Sequence, residues 1–143
     1  MDERYTPKPI AGWFPVAAFG SLAIMALGCV GLIAHLMTDP ATLPLDQRAL
    51  FDAEPKWVFA ASAIAFAAGL FGSLMLVLRR ATAERVLLIS FFAMAVWLAG
   101  MFATPAFRDL LSTDEIAVLV VVIAISWTIY WFARHSRQRG WLR

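Results

Sequence analysis

Four stretches of this chain, Trp13–Met37, Trp57–Leu78, Val86–Ala103 and Ile116–Ala133, contain no Asp, Glu, Lys or Arg. At about 1.5 Å of rise per residue, each stretch as a helix crosses or nearly crosses a hydrocarbon core of about 30 Å. In lipid the backbone must satisfy its own hydrogen bonds, and a helix does so within one segment. The expectation is an all-α membrane protein built as an antiparallel bundle of four transmembrane helices. The bareness of the spans also excludes functions. Proton relays, ion-coupled carriers and voltage sensors need ionisable groups at depth, and these spans supply none.

The spans use most of the 143 residues, so no soluble domain of ordinary size fits beside them. Residues 1–143 read as one domain. Cys29 is the sole cysteine, so an internal disulfide is excluded and a packing role is expected. Arg4 and Lys8 precede the first apolar stretch as they would in a signal peptide. That stretch is too long for an h-region and lacks a small-x-small cleavage site, so it reads as a retained helix.

Nine of the twelve Lys and Arg fall before span one, between spans two and three, or after span four. Arg48, Lys56 and Arg108 fall in the other connections, together with Asp39, Asp46, Asp52, Glu54, Asp109, Asp114 and Glu115. The positive-inside rule then sets both termini in the cytoplasm, and an even number of spans requires the same face for both. The expected location is the bacterial inner membrane. Arg134, Arg137, Arg139 and Arg143 with His135 form a basic tail. It reads either as a contact for anionic lipid headgroups or as a stop-transfer flank with no further role.

The first outer connection, residues 38–55, is the longest. Leu45, Ala49 and Ala53 share one helical face there, Pro44 suits a helix start and Pro55 a stop. A short amphipathic helix over about Pro44–Ala53 is expected at the membrane surface. It reads either as a recognition element or as a lid over the helix ends. Span two repeats small residues at Ala61, Ala65, Gly69 and Ser73, with Ala68 and Gly72 on a neighbouring stripe. Close backbone approach through such residues is the usual glue between helices in lipid, so span two is expected at the centre of the bundle. Gly20, Gly28 and Gly31 lighten span one in the same way. Glu84 is expected to pair with Arg80 at the surface. Ser112-Thr113-Asp114-Glu115 has the form of a capping box before span four.

Trp97 sits about 17 Å into span three, where its indole N–H needs a partner or faces a pocket. Polar or ligand contacts are expected from His35, Trp97, Ser90 and Ser126, with Ser62 and Thr128 as further hydroxyls. His35 and His135 fall at opposite membrane faces, which excludes a paired histidine site within one subunit. No phosphate loop, nucleophile set or acidic pair at depth is present, so no catalytic, cofactor or metal residues are assigned and an enzyme is not expected. The short basic tail gives no argument for nucleic acid.

At Phe51-Asp-Ala-Glu-Pro55-Lys-Trp57 and Gly69-Leu-Phe-Gly72-Ser73-Leu-Met-Leu-Val-Leu-Arg79-Arg80 the chain resembles a group of small four-span bacterial inner-membrane proteins often labelled "sugar transporter". The resemblance covers about a quarter of the chain and brings no site residues with it. It implies a solute carrier. The residues themselves suit a non-catalytic scaffold or accessory subunit that packs against a membrane partner. The alternative is an uncoupled carrier of something sugar-like, acting as a homo-oligomer. If Trp97 and two or more span hydroxyls line one cavity the carrier gains; if they scatter the scaffold does.

Overall fold

The computed structural model describes residues 9–143, the side chains of 46, 106 and 107 excepted. Arg4 and Lys8, counted in the charge asymmetry, lie outside the described residues. The elements run α1 (Phe14–Met37), a 3-10 turn (Pro40–Thr42), α2 (Leu45–Ala53), α3 (Lys56–Val77), α4 (Ala83–Ala103), α5 (Pro105–Arg108) and α6 (Thr113–Gln138). Four of them, α1, α3, α4 and α6, are long and apolar enough to cross a membrane. They pack as a helical bundle, and by length and composition the chain is a multi-pass membrane protein.

Local chemistry explains the boundaries. Pro15 stands in the first turn of α1, where a missing N–H leaves nothing unsatisfied. Ser112 and Glu115 cap α6 reciprocally: the Ser112 amide donates to Glu115 Oε2 at 2.7 Å, and the Glu115 amide donates to Ser112 Oγ at 3.3 Å. Both α4 and α6 run beyond their apolar stretches. Glu84 in the first turn of α4, and His135 and Arg137 in the last turn of α6, complement the helix dipoles there. The one-turn α5 begins on Pro105, a segment read from the sequence only as the stop of span three.

The helices stand in a row, α1 against α3, α3 against α4, and α4 against α6. The tight 78–82 connection makes α3 and α4 a central antiparallel hairpin. Ala61, Ala65, Gly69, Gly72 and Ser73 are buried on α3, and Ala68 is half-buried. A Cβ at Gly69 would stand 2.5 Å from Met25 Sδ on α1 and 2.9 Å from Ser90 Oγ on α4. At Gly72 it would stand 3.2 Å from the Leu87 amide nitrogen. The small stripe is thus taken up by contacts within the chain. Gly28 is crossed by the ring of Phe66, whereas Gly20 and Gly31 face open space.

The start of α1 and the last residues of the chain gather at one end of the bundle, here the termini end. Phe14 and Phe132 rings lie 5.5 Å apart, and Trp141 meets Phe14 edge-on at 5.8 Å. Two Schellman turns build this end. Gly140 (φ 73°) closes α6 with Trp141 N–H donating to the Ser136 carbonyl at 3.0 Å. Arg79 (φ 60°) closes α3 with Arg80 N–H donating to the Met75 carbonyl at 2.9 Å. The chain end then docks on the α3–α4 connection: Arg143 N–H donates to the Arg79 carbonyl and Ala81 N–H to the Arg143 carbonyl, both at 2.7 Å. Trp141 and Leu142 are buried, while Arg134, Arg137, Arg139 and Arg143 stay exposed. Glu84 pairs with Arg137 at 2.7 Å, not with Arg80 as its sequence neighbourhood implied, because α6 overshoots its apolar run and brings Arg137 across to α4.

Candidate functional site

The opposite end of the bundle, the loop end, holds a cavity of about 510 Å³ between α1, α2, α3 and α4. This is within the usual range of about 300–1,000 Å³ for small-molecule sites. Its origin is visible along α1. The buried stripe Phe14, Ala18, Ser21, Met25 stops at Met25. The next positions on that stripe are Gly28, Gly31, Leu32 and His35, and all four line the cavity. Gly31 leaves open space there, whereas at Gly28 the ring of Phe66 takes up the room a side chain would need. Gly28 lies nine residues before the end of α1 and Phe66 ten residues into α3. At helical rise the cavity floor is therefore about 14–15 Å below the loop end, close to the middle of the membrane core.

The lid is α2. It forms over Leu45–Ala53, with Pro44 before it and Pro55 after, but of the expected apolar face only Ala53 turns inward, while Leu45 and Ala49 stay exposed. Leu50 and Ala53 pack against Val58, Met101 and Leu119, and Gln47, Leu50, Phe51 and Glu54 look into the cavity. The polar centre is a pair. His35 Nε2 lies 3.2 Å from Glu54 Oε2, and the Glu54 side chain is only 12% exposed. Phe51 and Phe59 stack on the imidazole at 4.5 and 5.5 Å between ring centroids. Burial pushes the Glu54 carboxyl above its ordinary range, and the charge and hydrogen bond of His35 draw it back only in part.

Below this pair the walls are apolar apart from Ser62, whose hydroxyl donates to its own helix at the Phe59 carbonyl, 2.7 Å away. Trp97 lines the cavity and also packs against the cluster of Val58, Met101 and Leu119. Its indole has no hydrogen-bond partner among the described residues. Ser90 lies elsewhere, buried at the α3–α4 contact, where its hydroxyl donates to the Ala65 carbonyl at 2.6 Å. Ser126 donates to Val122 at 3.0 Å within α6, and Thr128 to Ala124 at 2.8 Å. Thus His35, Trp97 and Ser62 come together, and Ser90, Ser126 and Thr128 do not.

Sequence reasoning missed Glu54, Phe51, Phe59 and Phe66. A signal was present: Phe59, Ser62 and Phe66 recur at i, i+3 and i+7 beside the small stripe, which marks a second face of α3. What no spacing could supply is that α2 folds back to set Glu54 on His35. A second cavity of about 340 Å³ shares the Leu50 and Met101 wall and is bordered by Asp114 and Glu115. In comparison with known proteins no family model, no curated protein and no solved structure matches this chain, so the fold and the pocket are read from their own geometry.

Proposed function

We propose that the protein is a non-catalytic membrane scaffold or accessory subunit that holds a small molecule in its loop-end pocket without passing it across. The observation that carries this reading is the blind floor of the pocket. Beneath Gly28, Phe66 and Trp97 the spans close on one another, with Met25, Ser90 and the Cα of Gly69 in direct contact and Met94 and Leu76 fully buried. A carrier needs a polar path through that half of the bundle. In this reading the membrane is a bacterial inner membrane with the termini end cytoplasmic, in keeping with nine of twelve Lys and Arg by sequence on that side. The exposed arginines of α6 and the tail then meet anionic lipid headgroups, and any protein partner or second copy uses faces other than the α3 stripe.

The carrier reading, which the likeness to labelled sugar transporters favours, draws on one observation: Trp97 and Ser62 both line the pocket. It asks for at least two span hydroxyls there, and only Ser62 qualifies. The test is mild detergent extraction followed by mass spectrometry of the intact species, paired with solute uptake into proteoliposomes. Retention of a bound small molecule or a membrane partner, with uptake no faster than in empty liposomes, is the expected result. Sugar uptake mediated by the isolated chain would end the scaffold reading.

A further inference from the structure

The pocket has a polar mouth and an apolar shaft. Thr38, Gln47, His35 and Glu54 stand at the mouth; Leu32, Phe66 and Trp97 line the depth. Both hydroxyls that line it are already spent as donors, Thr38 to the Ala34 carbonyl at 2.7 Å and Ser62 to Phe59. Such a cavity suits a molecule with one polar end and an apolar body, and suits a polyhydroxylated one poorly.

The charge of that polar end follows from three observations. First, Glu54 is a nearly buried acid whose near partner is an imidazole, not a permanent cation, and no Lys or Arg is among the lining residues. A buried carboxylate without a full positive partner is electrostatically underserved, and a ligand cation would meet that demand. Second, only Oε2 is engaged by His35, and Oε1 has no partner among the described residues. Third, the loop-end connections hold seven acidic residues against three basic ones. The pairs Arg48–Asp52 at 3.8 Å and Arg108–Asp109 at 3.7 Å take up two of each, leaving five acids against Lys56. The field at the mouth attracts cations and repels anions such as fatty-acid carboxylates.

Building on the binding-pocket reading, we infer that the ligand is an amphipathic amine, its protonated nitrogen held at Glu54 and its apolar body running down between α1, α3 and α4 toward Trp97. Glu54 is the counter-ion. His35 orients the carboxylate, stacked in place by Phe51 and Phe59, and Gly31 keeps the shaft open.

The test uses the full chain in phosphatidylcholine nanodiscs at neutral pH, titrated calorimetrically with octylammonium, octanol and octanoate, with empty nanodiscs subtracted. Octylammonium should saturate at one per chain, octanol should bind more weakly, and octanoate should not bind. Glu54→Gln keeps size and shape and should weaken octylammonium roughly 10- to 100-fold, the span expected for losing a charged hydrogen bond, while leaving octanol unchanged. Gly31→Leu fills the shaft, and since a Cβ there meets nothing within 4 Å the fold tolerates it. It should weaken both ligands. Equal binding of octanol and octylammonium, unaffected by Glu54→Gln, overturns the amine assignment and leaves the pocket standing. No saturable binding of any probe, or binding that ignores Gly31→Leu, overturns the pocket itself.

Discussion

Glu54 shows how one residue sets function against stability. Its raised pKa means the folded chain holds the proton at pH values where the unfolded chain has lost it. The charged form therefore opposes folding, and this contribution to stability rises as pH falls through the raised value, levelling off below the ordinary carboxylate pKa. Glutamine imitates the protonated acid. We expect Glu54→Gln to melt higher than the parent protein at pH 8, with the gain shrinking to nothing by about pH 3, where the parent residue is protonated in both states. Parallel melting curves in nanodiscs at the two pH values check this; a gain that grows toward acid would contradict it. Gly72 illustrates the opposite kind of residue, legible from sequence because lipid-bathed helices approach through small side chains. Here the approach brings the Leu87 backbone against it.

At the scale of elements, helix type, approximate span limits, the surface helix α2 and the Ser112–Glu115 cap all follow from composition and local spacing. These are short-range properties, and a single segment carries them. The helix ends that depend on another segment were not legible. The last turn of α6 and the docking of Trp141 and Leu142 rest on the 78–82 connection, which lies far off in sequence. Arg79 is the clearest case. Nothing near it in sequence signals a left-handed backbone, which costs a side-chain-bearing residue about 1–2 kcal/mol, yet this conformation places its carbonyl to receive Arg143. Arg79→Gly should relieve that strain and stabilise the protein by roughly 1 kcal/mol, less whatever the arginine side chain contributes. Equilibrium unfolding by a denaturing detergent measures it, and a loss of stability would show that the side chain outweighs the backbone strain.

Across the whole molecule, charge and hydropathy foretold a bundle whose two ends differ, but not the order in which the helices stand. The outer pair of the row, α1 and α6, meets through the aromatic cluster at Phe14, Phe132 and Trp141 and shares a cavity lined by Ala17, Ser21 and Ile24 on one side and Ile125 and Ile129 on the other. The candidate site lies between α1, α2, α3 and α4, with no lining residue from α6. It combines one end of α1 with a helix folded back from the next connection, so no linear stretch contains it.

The halt of the buried stripe at Met25 has a dynamic corollary. From Ala26 to Met37 no side chain of α1 is fully buried, and this half keeps to α3 through the rings of Phe66 and Phe59. Deuterium uptake should therefore climb along a single helix, with amides of Leu27–Met37 exchanging well before those of Val16–Met25. Even protection from one tip to the other would mean that this rod is anchored along its full length, and an amphiphile would have no yielding wall through which to slip in from the bilayer.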